Sequence, residues 1–356
     1  MSRLARAWDR FWFAPRSTTP LALFRIAFGL LVTAWAATLA PDALAFLGPD
    51  GILPTPPPRL PGEWGLLHGA GAGAPAVVAV LVATLVGGVA LTLGLFSRVA
   101  AVVVLIGVVS LQQRNPLVLN SGDLLIRTLA FLCALGPTGA ALSLDRWRAV
   151  RRTGEDFWRS PERAPWALRL IQVQLSVGYL AAALRKVATE PWRDGTAVAY
   201  ALRTSDFARL PVPGWLTHSV LATEVLTFST VVLELSLAVL VWNRAARPYV
   251  LSLGVALHLG IDYALVVGFF GLAILVAYVA FVPPDTADRL LLAVRDRLRR
   301  PHRPAGEPPD GSSVAAPADP PGPQDVPGPA RRAGQNGGGS ESGAGTAGGS
   351  GPGSGR

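Results

Sequence analysis

Residues 74–95 read APAVVAVLVATLVGGVALTLGL, a run without a charged side chain. A helix needs about 20 apolar residues to cross the ~30 Å hydrocarbon layer of a membrane, and this run supplies them. Comparable runs stand at about 21–40, 99–112, 123–142, 166–184, 219–242, 246–262 and 266–282, with 99–112 short. The expected fold class is therefore all-α, a polytopic transmembrane helical bundle of about eight spans. Seven is the alternative count: 249–282 holds Gly254, Gly260, Gly268 and Gly271 and no charge but Asp262, so its two runs also read as one long bent helix.

Composition agrees with this reading. Hydrophobic residues make up 51% of the 356, charged residues 15%, and mean hydropathy is +0.40; soluble α/β and all-β folds are excluded on that balance. The single cysteine, Cys133, builds neither a disulfide framework nor a cysteine-rich metal site, and no metal is expected. A net charge of +9 suggests nucleic acid in a soluble protein, but cytoplasmic loops of membrane proteins collect basic residues, so the charge is read as orientation. The glycines of 69–73 precede no strand and have no P-loop lysine, so they do not mark a nucleotide site.

The basic residues are asymmetric. With a cytoplasmic N-terminus, segments 1–20, 96–98, 143–165, 243–248 and 283–300 hold 18 arginines, against 5 in 41–73, 113–122 and 188–218. Both termini are expected in the cytoplasm of a multi-pass cell-membrane protein. Residues 1–20, with Trp8, Phe11, Trp12 and Phe13, read as an interfacial leader before an uncleaved first span. The competing reading, a signal peptide cut near Ala43-Leu44-Ala45, fits the long apolar run less well. Residues 285–300 form a basic cytoplasmic segment. The last stretch, 301–356, has 15 Gly and 11 Pro but no Leu, Ile, Phe, Tyr or Trp, and is expected to be a disordered tail.

Ionisable groups within spans are expensive and are functional candidates by default. On this topology Asp123, Arg127, Arg185, Lys186, Glu224, His258 and Asp262 all fall in the outer half of the membrane. Asp123 and Arg127 are four apart with the acid first, the favourable order for a helical ion pair, and Asn120 or Ser121 caps the same helix. His258 and Asp262 are also four apart, which reads either as an imidazole oriented by a carboxylate or as a packing histidine. Glu234, in mid-span, is expected to be protonated or to pair with Arg127 or Arg169, or else to form a proton or cation path with Glu224. Lys186 is the only lysine among 32 basic residues. Unlike arginine, lysine can give up its proton near neutral pH, so Lys186 is either a base or a snorkelling anchor at a helix end. Tyr179, seven residues earlier, shares its helix face.

Four stretches together resemble the HTTM family, the horizontally transferred transmembrane domain shared with vitamin K-dependent gamma-carboxylase. They are Phe13-Ala14-Pro15-Arg16 with LALFRIAFG (21–29), QRNPLVLNSGDLLIR (113–127), the span at 166–184 with its flank, and 258–283. The resemblance covers roughly residues 8–284 and makes 21–284 the HTTM-like transmembrane domain. Gln174, Tyr179, Lys186, Trp192 and Gly195 follow the carboxylase order. This implies that Lys186 stands where the carboxylase has the lysine that deprotonates reduced vitamin K, and it implies a reduced quinone of the vitamin K or menaquinone type. Two departures are plain: the carboxylase's large extracytoplasmic domain has no counterpart here, and Arg185 stands where the carboxylase has a second lysine.

The candidate site therefore has Lys186, His258 and Asp262 as catalytic residues, with Gln174, Tyr179, Asp123, Arg127 and Trp192 around the substrate. One functional reading is a membrane enzyme acting on a lipid-soluble quinol or other lipid at an outer-leaflet site, with Lys186 as general base. The other is a non-enzymatic membrane factor for maturation or export of a secreted peptide. The expected partners are the lipid bilayer and, on the second reading, that peptide, with no nucleic acid. A carrier using Glu224 and Glu234 lacks the internal repeat many transporters show.

Overall fold

The computed structural model describes residues 2–55, 58, 62–68 and 73–299. The tail at 301–356 and most of the 69–73 glycine stretch lie outside the described residues.

Helix α1 (Arg3–Phe13) is capped by Ser2, whose Oγ accepts from Ala5 N at 3.2 Å, and precedes a two-residue strand β1 (Arg16–Ser17). Helix α2 (Thr19–Leu39) opens on Pro20, which at the first turn forfeits no helical hydrogen bond, and is prolonged through a 3₁₀ turn into α3 (Ala43–Leu47). The long helices α4 (Ala74–Leu93) and α5 (Ser97–Arg114) follow, then α6 (Ser121–Leu135) and the polar α7 (Leu144–Thr153). Strand β2 (Glu162–Arg163) pairs antiparallel with β1 and leads into α8 (Trp166–Val187). Three short helices, α9 (Glu190–Arg193), α10 (Ala197–Arg203) and α11 (Gly214–His218), connect it to α12 (Val220–Val239). Helices α13 (Arg247–Ala264), α14 (Phe270–Tyr278) and α15 (Pro284–Arg299) complete the described chain.

Among the described residues, five helical stretches are long and apolar enough to cross a membrane: 19–47, α4, α5, α8 and 220–242. A sixth is available if the stretch from Phe270 to Phe281 counts with α15, to which it is bent by 98°. The chain is a multi-pass membrane protein, but with fewer full-length spans than the eight expected. Helix α6, at 15 residues, reaches about 22 Å, and α14, at 9, about 14 Å, both short of the layer. The run at 99–112, expected to be short, belongs to the 18-residue α5. The last two runs are not one bent helix: α13 stops at Ala264, and Gly268 takes φ +63°, a left-handed value that glycine adopts without strain.

Helix α4 shows why length and composition decide the class. Val77, Leu81, Gly88 and Leu91 are buried, while Val78, Val82, Val86, Val89 and Leu93 are exposed on the other side. A helix apolar on both its inward and outward faces suits a bilayer, not water. Its contact with α2 is built from small residues in reciprocal order. Gly29 of α2 lies against the backbone of Thr92, and Gly88 of α4 lies against the backbone of Thr33. Each threonine hydroxyl donates to the carbonyl of the glycine one turn earlier in its own helix, Thr33 to Gly29 at 2.8 Å and Thr92 to Gly88 at 2.9 Å. Hydroxyls so satisfied need no water, and the backbones can close together as membrane helices do.

The core gathers where α2, α6, α8 and α14 converge, around the stacked rings of Phe24 and Phe28 with Ile126, Leu129, Ile171, Ala277 and Phe281. The short helices α6 and α14 begin side by side: Gly122 lies against the backbone of Phe270, and Gly268 against the side chain of Asn120. At the other end of the bundle the fully buried Arg25 donates to the carbonyls of Thr138, Ala141 and Leu142 at 3.3, 3.5 and 2.6 Å. This intramembrane arginine was not singled out in the sequence, and its contacts give it a structural job: it closes the turn between α6 and α7.

Candidate functional site

Helix α8 carries Tyr179 and Lys186 two turns apart on one face. Opposite them, α12 brings Glu234, and Lys186 Nζ donates to Glu234 Oε1 in a close ion pair. The lysine side chain is 21% exposed and the glutamate 8%, so this pair is withdrawn from solvent. The second carboxylate oxygen, Oε2, is buried and has no hydrogen-bond partner among the described residues. Glu234 lies about 21 Å along α12 from Val220, so the pair sits well inside the length of that helix and not at its tip. A snorkelling lysine would extend toward the helix end; this one turns to an acid within the bundle.

The segment after α8 folds back to cover the pair. Gly195, at φ +77°, is pressed against the side chains of Glu224 and Phe228, where a β-carbon would be crowded. Thr227 fastens the turn to α12, donating to Gly195 O at 3.0 Å and accepting from Val198 N at 3.2 Å. Trp192 is thereby held with its ring over Lys186, the ammonium 4.7 Å from the centroid.

Beside the pair is a buried polar cluster. Tyr179 Oη is hydrogen bonded to His258 Nε2 at 2.7 Å and to Tyr278 Oη at 2.5 Å. Gly254 makes room for it, since a β-carbon there would collide with the Tyr278 hydroxyl. The His258 ring packs edge-on against Phe270, and its buried Nδ1 has no partner among the described residues. The two groups sense each other: Glu234 lies within electrostatic range of both tyrosines, and Lys186 of His258.

Of the residues named from sequence, Lys186, Tyr179, Trp192 and His258 come together. Asp262 does not join His258. Its carboxylate lies over Gly271 in the first turn of α14, where the helix dipole is positive, and His258 turns to Tyr179 instead. Asp123 and Arg127 form no ion pair. Asp123 Oδ2 accepts from Asn120 N at 3.0 Å in a capping box, and Oδ1 accepts from Trp35 Nε1 at 2.9 Å. Its place at the third position of the capping box, together with the tryptophan, consumes the carboxylate. Asp123 lines a separate cavity of about 240 Å³ with Trp35, Gln112 and Phe269. Gln174 is half-buried and makes no hydrogen bond among the described residues; its neighbour on α8, Gln172, is buried and donates to Ala280 O at 2.6 Å. Glu234 takes Lys186 as its partner, not Arg127 or Arg169, and Glu224 makes no ion pair among the described residues. Tyr278 was missed, and nothing in its surrounding sequence marks it. Glu234 could have been matched to Lys186 by charge alone, as the one acid near mid-span and the one lysine.

No cluster of three or more His, Cys, Asp or Glu able to hold a metal exists among the described residues. The arrangement offers an amine and a carboxylate that can exchange a proton, next to hydroxyls and an imidazole with a free nitrogen. Neither the curated proteins nor the solved structures yield a match. The HTTM domain profile matches residues 70–286, well over half of the chain and all of the helices that build this site. The chain belongs to the HTTM domain family.

Proposed function

We propose that this multi-pass HTTM-family protein is a membrane enzyme in which Lys186 acts as general base on the hydroxyl of a lipid-soluble quinol. The observation that supports it most is the withdrawn Lys186–Glu234 pair. Removing two full charges from water is costly, so transfer of the lysine proton to Glu234, giving a neutral amine and a carboxylic acid, competes with the ionic form. The neutral amine then takes the proton of the substrate O–H. The end state is an ammonium, a glutamic acid and a substrate oxyanion, and the ammonium remains to stabilise the oxyanion. Tyr179, Tyr278 and His258 supply donors and acceptors that orient the substrate oxygen, and Trp192 offers an apolar ring for it. With molecular oxygen as the oxidant, a quinol so deprotonated yields quinone epoxide and water.

We also propose that both termini are cytoplasmic, that residues 1–20 form an interfacial segment and 285–300 a basic cytoplasmic one, and that the site opens to the outer leaflet. The loop counts of 18 against 5 arginines support that orientation where each of the eight apolar runs, those of the short α6 and α14 included, carries the chain across. The activity is tested on purified protein in nanodiscs supplied with reduced menaquinone or vitamin K under air, with the epoxide followed by mass spectrometry. Wild type is expected to form it and Lys186→Ala not. Absence of epoxide from folded wild type would favour the alternative role, maturation or export of a secreted peptide.

A further inference from the structure

Far along α8 from Lys186, four arginines face one cavity of about 630 Å³: Arg16, Arg169, Arg244 and Arg247. Arg169 and Lys186 are 17 residues apart on one helix, about 26 Å, so the cavity and the lysine site lie at opposite ends of α8. Its walls include Leu168, Leu251 and Phe281, and among the described residues Asp285 is the one acid lining it. None of the four arginines has an acidic partner within ion-pair distance among the described residues. Two are fixed by the protein: Arg169 donates to Phe11 O at 3.3 Å and to Gln172 Oε1 at 2.8 Å, and Arg247 donates to Val241 O at 2.8 Å. Arg16 and Arg244 are exposed and make no side-chain hydrogen bond among the described residues.

Four guanidinium groups around one cavity repel one another unless an anion joins them, and arginine's planar fork of donors matches phosphate. The position of the cavity says which kind. Helix α1 packs against α8 next to the cavity, its Phe11 ring under Arg169 at 4.5 Å and beside Trp242 at 5.7 Å, while Leu4, Trp8 and Phe13 remain exposed. An amphipathic, aromatic-rich helix of that kind lies at headgroup depth. A lining that combines apolar side chains with four arginines suits a molecule with both an acyl chain and a phosphate. We propose that this cavity binds the phosphate of an anionic phospholipid in the leaflet facing away from Lys186.

The test is native mass spectrometry of the full-length protein in detergent, with phosphatidylglycerol, phosphatidylcholine or inorganic phosphate added in separate arms. Wild type is compared with Arg16→Gln/Arg244→Gln, which removes two charges that hold no other part of the fold. Phosphatidylglycerol is expected to stay bound to wild type at least about tenfold more than phosphatidylcholine, and the double variant to lose about tenfold of that retention. Inorganic phosphate is expected neither to be retained nor to displace the lipid. Equal retention of the two lipids, equal retention by wild type and variant, or retention of inorganic phosphate in place of the lipid would each overturn the proposal. Should the double variant aggregate, Arg244→Gln alone, in an exposed turn, carries the same comparison with a smaller loss, about threefold.

Discussion

Lys186, the one lysine of the chain, is ion-paired to the buried Glu234, and the pair is roofed by the ring of Trp192. The lysine comes from the last turn of α8, and its partner from well within α12, so the two helices are pinned by a charge contact inside the bundle.

That contact makes Glu234→Gln costly. Removing one partner leaves a shielded ammonium uncompensated, a loss of about 3 kcal/mol, at the low end because Lys186 keeps some exposure. The double variant Lys186→Met/Glu234→Leu, which removes both charges, should recover most of it. Thermal unfolding in detergent would measure both; losses that simply add would mean the pair does not couple.

The Tyr179–Tyr278–His258 cluster should behave as a unit. Tyr278→Phe removes one hydrogen bond and is expected to cost about 1 kcal/mol. Gly254→Ala forces the Tyr278 hydroxyl aside and should cost about 1–3 kcal/mol in wild type but markedly less in the Tyr278→Phe background. Equal costs in both backgrounds would locate the Gly254 effect elsewhere.

The reciprocal glycines between α2 and α4 set how closely those helices approach. Gly88→Val puts a branched side chain into the backbone of Thr33, and a loss of about 3 kcal/mol or more is expected. Val86→Leu, on the exposed face of the same helix, should change stability by under about 0.5 kcal/mol.

Arg25→Leu strips three carbonyls of the α6–α7 turn of their donor and should destabilise by about 3 kcal/mol or more. Arg25→Lys, with a single point charge in place of the fork, should recover part of it. Limited proteolysis of that turn reports the effect locally: faster cleavage in Arg25→Leu than in wild type is the expected result, and equal cleavage would detach Arg25 from the turn.

The helical class and the membrane location were legible because they depend only on long apolar runs, and α4 is apolar on both faces. Span number was less so: hydropathy does not reveal that α6 and α14 are helices shorter than the hydrocarbon layer. Lys186 stood out as a lone residue type, and Tyr179 by its two-turn spacing. The two pairs drawn from i, i+4 spacing failed for one reason. Such spacing brings side chains near each other on a helix, but a stronger nearby partner captures them: the capping amide of Asn120 and the Trp35 indole for Asp123, the Tyr179 hydroxyl for His258. Partners from distant helices, as with Tyr278 and Glu234, leave no local trace.

The base role of Lys186 is tested most directly by comparing Lys186→Arg with Lys186→Ala for quinone epoxide formation in nanodiscs. Arginine keeps the positive charge next to Glu234 but does not give up its proton at pH 7. The account predicts that both variants lose the epoxide to the same extent while Lys186→Arg remains folded. Epoxide formed by Lys186→Arg at near the wild-type rate would contradict it and leave Lys186 a structural cation.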